Sequence, residues 1–189
     1  MKAAVAGGAL LVLLLGVPLL SPAFAPAPKA TSVDLYPLRP GFRWIYRCGL
    51  FTAVRQVTRT DGPWFTMHYN LPLGRHDLPM RHRADGVVTT VNGVEHLLMR
   101  FPMKPGDRWR IDAPGLPGPN ETADCEVLGR EEIDYLGRRG MAMKLKVVRT
   151  NRRTNKSIID YEWYVDGVGL AGMQVAGLRF VLERFDRIK

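Results

Sequence analysis

The chain is poor in the residues that carry metal and nucleophile chemistry. It has two cysteines and four histidines in 189 residues. No two of His68, His76, His82 and His96 stand at H-x-x-x-H spacing, and "RHDLPMRH" sets Arg75 and Arg81 beside two of them, where they would repel a cation. That pattern excludes the common zinc arrangements, and no metal is expected. There is no G-x-S-x-G elbow and no glycine-rich loop leading into a helix, so neither a hydrolase triad nor a nucleotide cofactor is indicated. Glu131, Glu132 and Asp134 in "REEIDY" are the one acidic group worth testing as an acid/base pair. In an extended chain neighbouring residues face opposite sides, so they read as surface charge. No apolar stretch reaches the roughly 20 residues that span a bilayer, and no window longer than about ten shows helical apolar spacing. The chain reads as non-enzymatic, with no catalytic residue and no cofactor.

What it does have begins with an export signal. Lys2, the apolar run "ALLVLLLGVPLL" and the small residues around Ala23 fit a signal peptide over residues 1–23, cleaved after Ala23. A Pro/Ala-rich tether follows over 24–33, and 34–189 has the length of one domain. The expected location is periplasmic or extracellular, soluble after cleavage, with an uncleaved membrane anchor as the alternative. No cysteine follows the apolar run to carry a lipid. In that compartment Cys48 and Cys125 are expected to form a disulfide, closing a loop worth up to roughly 4 kcal/mol; the other reading is two packed thiols. The net charge of +9 would suggest nucleic acid in a cytosolic protein. In an exported one it suggests anionic lipid or cell-wall polymer.

After residue 40 the sequence alternates. Asn92-Gly93 between β-branched runs predicts a type I′ hairpin pairing Val91 with Val94, Thr89 with His96 and Val87 with Leu98. "MKLKVVRTNRRTNKSIIDYEWYV" predicts a second hairpin, with Lys146 opposite Asp160 and Lys144 opposite Glu162 on one face, and Leu145 opposite Tyr161 on the other. A third turns at Ala176-Gly177, setting Met173 beside Phe180. The expected fold is all-β and antiparallel: a strongly curved sheet or partly open barrel built of hairpins, possibly two similar halves, with a two-sheet sandwich as the alternative. The halves are suggested by a repeated phrase. "YPLRPGFRW" at 36–44 returns as "FPMKPGDRW" at 101–109. Its prolines hold the chain extended, Gly41 and Gly106 permit a turn, and Trp44 and Trp109 anchor the following strand. The alternative is a paired recognition site using Arg43 and Arg108.

"YPLRPGFRWIY", "RFPMKPGDRW" and "YEWYVDGVGLAGMQ", in that order, resemble a loose group of uncharacterised bacterial exported proteins with a repeated P-L-x-x-G-x-x-W phrase and a late W-Y-x-x-G-V-G-L stretch. Met103 stands where that group has Leu. The resemblance implies an all-β envelope domain, in some members similar in shape to periplasmic lipoprotein carriers, and it brings no catalytic residues. Two functions fit. One is binding of an apolar ligand such as an acyl chain, or an apolar protein segment, on a concave Met-rich sheet face. The other is an envelope interaction or scaffolding module whose basic hairpin tip, Arg149, Arg152, Arg153 and Lys156, meets anionic lipid or polymer.

Overall fold

The computed structural model describes residues 36–187, apart from 72–73, 114, 117 and 119. The signal peptide and tether expected over 1–33 lie outside the described residues. The described residues form twelve strands: β1 (Phe42–Cys48), β2 (Phe51–Asp61), β3 (Trp64–Leu71), β4 (Gly74–Arg83), β5 (Gly86–Val91), β6 (Val94–Arg100), β7 (Arg108–Ile111), β8 (Glu121–Tyr135), β9 (Arg138–Asn151), β10 (Ser157–Val165), β11 (Gly169–Val175) and β12 (Leu178–Arg187). All pairings are antiparallel, in the order β6-β5-β4-β3-β2-β1-β12-β11-β10-β9-β8-β7. Each half of the chain is thus a six-strand meander, and the two meanders join where the first strand pairs with the last.

The sheet curls into a nearly closed barrel. Register shifts at Ile45/Tyr46, Val57/Arg59, Val87/Val88, Val127/Gly129 and Trp163/Tyr164 supply the bends, since a bulged residue kinks its strand and increases local twist. The two free edges, β6 and β7, meet at a seam that carries no backbone ladder among the described residues. One side-chain bond crosses it: Trp109 Nε1 donates to Leu98 O at 3.0 Å. Because every strand reverses direction, the hairpins β1–β2, β3–β4, β5–β6, β7–β8, β9–β10 and β11–β12 all turn at one end of the barrel, here called the mouth.

The repeated phrase builds the opposite, closed end. In both copies the carbonyl of the basic residue accepts from the amide three positions on, Arg39 O from Phe42 N at 3.1 Å and Lys104 O from Asp107 N at 2.9 Å. Pro occupies the second turn position and Gly the third, with φ of 84° at Gly41 and 88° at Gly106, the geometry of a type II turn. The glycine amides reach equivalent carbonyls, Val57 O at 3.0 Å and Val127 O at 2.8 Å. Each turn folds its leading arm back into the barrel, where Tyr36, Leu38, Phe101 and Met103 are buried. The leading rings meet: Tyr36 and Phe101 lie 6.2 and 6.3 Å from the Tyr164 ring. Trp44 and Trp109 are both buried, and Trp44 Nε1 donates to Val168 O at 2.6 Å.

Two of the three expected hairpins form largely as read. Asn92 and Gly93 have φ of 52° and 77°, and Val91 pairs with Val94 and Thr89 with His96. The bulge beside Val88 then shifts Val87 onto Met99, not Leu98. Met173 pairs with Phe180. The β9–β10 hairpin is displaced by one residue from its expected register: Val147 faces Asp160, Lys146 faces Tyr161, Leu145 faces Glu162 and Lys144 faces Trp163. An even loop sets this register, with Asn151 N bonded to Lys156 O at 2.9 Å. A one-residue slip exchanges faces. The lysines therefore lie outside, Lys144 Nζ standing 4.8 and 5.5 Å from the rings of Tyr161 and Trp163, and the two acids share the inner face with Leu145 and Val147.

The expected disulfide is corrected as well. Cys48 and Cys125 are free thiols. Cys48 ends β1, whereas Cys125 projects inward from β8 between Ala123 and Val127, with four strands between theirs in the sheet. Burial pushes the Cys125 thiol well above its ordinary pKa. Alkylation of the native protein without reductant should therefore modify Cys48 and spare Cys125, and both should react once it is unfolded. Intact mass reads the count, and an unfolded sample that takes up no label would restore the disulfide. Replacing Trp44 or Trp109 by Ala should cost roughly 3 to 5 kcal/mol in urea unfolding. Equal midpoints for parent and variants would remove both from the anchoring role.

Candidate functional site

Strand parity decides what lines the barrel. On β2, Ala53 and Val57 are fully buried, so Arg55 between them must also point inward. On β10 the corrected register turns Asp160, Glu162 and Tyr164 inward. These side chains border a cavity of about 240 Å³ whose other walls include Met80, Leu98, Met99, Ala123, Leu145 and Val147. It runs from Tyr36 and Tyr164 at the closed end toward Arg149 and Val175 near the mouth.

The two inward arginines are held differently. Arg149 is compensated: its Nε donates to Asp160 Oδ2 at 2.5 Å and its Nη1 to Glu121 Oε2 at 3.4 Å. The other oxygen of Asp160 accepts from the Ala176 amide at 3.0 Å, so this network is closed. Arg55 is not compensated in this way. Its guanidinium sits 5.0 Å from the centre of the Tyr69 ring and 5.8 Å from that of Tyr46. Nη2 lies 3.6 Å from Met173 Sδ, and Nε is buried with no partner. Glu162 is near enough to act on it electrostatically, but Arg55 makes no ion pair among the described residues, and Glu162 Oε2 instead accepts from Tyr164 Oη at 2.5 Å. Burial raises the pKa of Tyr36, Tyr46, Tyr69 and Tyr164. The phenols are therefore neutral donors at physiological pH and supply no counter-charge. A guanidinium does not discharge itself in compensation. The chamber therefore combines apolar walls with a closed Arg149–Asp160 pair, Glu162 held by a phenol, and in Arg55 a permanent cation without an ion pair, which is the chemistry of a receptor.

Of the remaining sequence candidates, His76 and Cys125 also border the chamber, and the others lie elsewhere. His68 bonds Asp77 on the outer surface, His76 stacks on Tyr69 at 5.1 Å, and burial lowers the pKa of His82. Glu131 pairs with Lys144, and Glu132 and Asp134 with Arg139, on the β8–β9 hairpin. Of the four cations read as a hairpin tip, Arg149 is turned into the barrel, its side chain only 22% exposed, and Arg152 is tied to Asp112. Arg153 and Lys156 remain exposed. Arg55 was not singled out by sequence, although the pattern Ala53-x-Arg55-x-Val57 carries the signal, and Glu162 was read only as the cross-strand partner of Lys144.

No protein-family model matches the chain, and no curated protein matches it in sequence. Solved structures do resemble it. A protein of Bacteroides fragilis described as exported, with a YmcC-like fold, superposes with a TM-score of 0.50 at 14% identity, over 83% of this chain and 99% of its own. A protein of Parabacteroides distasonis described as a lipoprotein gives 0.45 at 15% identity, over 84% and 100%. The lipoprotein YmcC of Escherichia coli gives 0.40 at 12%, over 77% and 85%. At these identities the first likeness is one of fold.

The contrast between the two arginines has a measurable consequence. Arg149→Met leaves Asp160 buried without its cation and should cost about 3 kcal/mol or more. Arg55→Met removes a cation that no carboxylate holds, and should cost about 1 kcal/mol or less, the scale of its contacts with the tyrosine faces. Urea unfolding compares them, and equal losses would make Arg55 a structural cation like Arg149.

Proposed function

We propose that this is an exported protein of the bacterial envelope that holds, without turning it over, an amphipathic ligand in its barrel: an apolar body against the Met- and Leu-rich walls, and an anionic head on Arg55. The observation that carries this reading is Arg55, a buried cation bordering the chamber that makes no ion pair and whose Nε has no partner among the described residues. A buried charge is costly unless matched: Arg149 and Asp160 match each other and Glu162 accepts from Tyr164, whereas no carboxylate bonds Arg55 among the described residues. A carboxylate or phosphate ester on the guanidinium would complete the set with a charge-assisted bond.

Several features support the reading. The apolar amino-terminal run fits export, and the chain shares its fold with a protein described as exported. A volume of about 240 Å³ accommodates about eight heavy atoms at about 30 Å³ each, the size of a short acyl chain or the end of a longer one leaving through the mouth. The phenols are held neutral, and burial keeps the Cys125 thiol protonated and hence a poor nucleophile.

Laurate and its uncharged counterpart dodecanol test the assignment by calorimetry. Laurate should bind the parent and lose roughly tenfold to a hundredfold in affinity with Arg55→Met, the range of a hydrogen bond to a charged group, while dodecanol should bind both alike. Equal binding of laurate to both proteins would remove Arg55 from recognition. No binding of either compound, together with native mass spectra of host-purified protein free of small molecules, would overturn the reading.

A further inference from the structure

The outer end of the barrel carries a second feature that the chamber does not explain. Among the described residues eight large apolar side chains are exposed, and six of them, Leu50, Phe51, Val94, Ile158, Ile159 and Leu178, belong to hairpins that turn at the mouth. Leu50 is 99% exposed at the β1–β2 turn, the position of greatest reach on its hairpin. The others lie in the first three residues of β2, β6, β10 and β12, directly after their turns. Four of the six mouth hairpins thus present apolar tips, spread from the β5–β6 side of the barrel to the β9–β10 side. Among the described residues these side chains are divided among four separate tips rather than gathered on one. The tips form a discontinuous ring that can reach a plane set against it.

The charges on the same rim have one sign available. The carboxylates around it are already bonded: Asp112 by Arg152, Asp160 and Glu121 by Arg149, Glu95 by Arg81, Glu183 by Arg47 and Asp77 by His68. Arg75, Arg153, Lys156 and Arg179 are exposed and have no carboxylate partner among the described residues. An annulus of isolated apolar tips interleaved with free cations is complementary to one kind of surface, an anionic lipid bilayer. There the tips enter the acyl boundary and the cations remain among the head groups.

We infer that the mouth of the barrel docks on anionic membrane through these hairpin tips, which sets the opening of the chamber against the lipid. The inference stands on the rim alone and does not require the chamber to be filled. It also accounts for two of the four cations that sequence assigned to an anionic surface, Arg153 and Lys156.

Co-sedimentation with vesicles of phosphatidylcholine, alone or mixed with phosphatidylglycerol, tests it. The proteins are purified from the host with one and the same amino terminus, verified by intact mass, so that differences report the rim. The parent should bind mixed vesicles at low salt and release them as salt rises. Arg153→Ser with Lys156→Ser should weaken that binding about 30-fold, from about 1 kcal/mol for each basic residue. Leu50→Ser with Phe51→Ser should weaken it roughly tenfold, at high salt as well as low, because the loss is of buried apolar surface. Circular dichroism and melting should match the parent in both variants. Equal sedimentation of all three proteins would overturn the inference. So would a parent that ignores vesicles but dimerises, and is made monomeric by the apolar pair of changes, since the occupant of the rim would then be a second copy of the chain. Laurate binding without vesicles should survive in both rim variants, so failure of the chamber and failure of the rim are read separately.

Discussion

The pairing of the first strand with the last is the constraint on which the rest of the structure depends. Six residues of β1 are matched to β12, from Phe42 with Arg187 to Arg47 with Val181. That ladder turns two six-strand meanders into one continuous sheet and fixes which edges are left over. The edges are β6 and β7, in the middle of the chain, and the sheet must curl until they meet or expose two unpaired ladders to aggregation. β7 has only four residues, so little of that edge remains to be protected.

Closure then creates an inside, and the inside requires filling. A barrel of this strand number has more volume than wall-borne side chains alone supply. The repeated phrase answers the need at one end: two type II turns fold two aromatic arms inward, and their rings converge on Tyr164. Among the described residues no second pair of arms fills the other end. The chamber is the volume that the arms do not reach, and the polar groups bordering it are there because strand parity projects them inward.

Much of the architecture was legible in the sequence because it is local. The Asn92-Gly93 turn, the Ala176-Gly177 turn and the two Pro-Gly turns are each specified by a few adjacent residues whose backbone preferences leave one solution. The β9–β10 register was not legible. Two registers satisfied its composition, one pairing lysines with acids across the strands and one stacking them on Tyr161 and Trp163, and a loop bond between Asn151 and Lys156 decided between them. The candidate site inherits that ambiguity, since whether Asp160 and Glu162 face the barrel or the solvent depends on that single residue of slip. The paired cysteines failed for a different reason: number and compartment say that a bond is permitted, but only the placement of β1 and β8 says whether the thiols meet. Arg149 was read as solvated because its neighbours in sequence are polar, whereas its partners, Glu121 and Asp160, come from the flanking strands.

The seam and the chain ends divide the mechanical work of the barrel. Between β12 and β1 the polypeptide is discontinuous and a hydrogen-bonded ladder takes the load. Between β6 and β7 the ladder is missing, and residues 101–107 are the covalent bridge. Neighbouring strands elsewhere have both. A peptide bond cut in any hairpin loop would leave its two strands zipped together, as happens in proteins that survive nicking. A cut in 101–107 would leave two meanders joined by the β1–β12 ladder and, across the seam, little more than one indole bond, so the barrel depends on this segment, buried at Phe101 and Met103 but exposed from Lys104 to Gly106, more than on any hairpin loop.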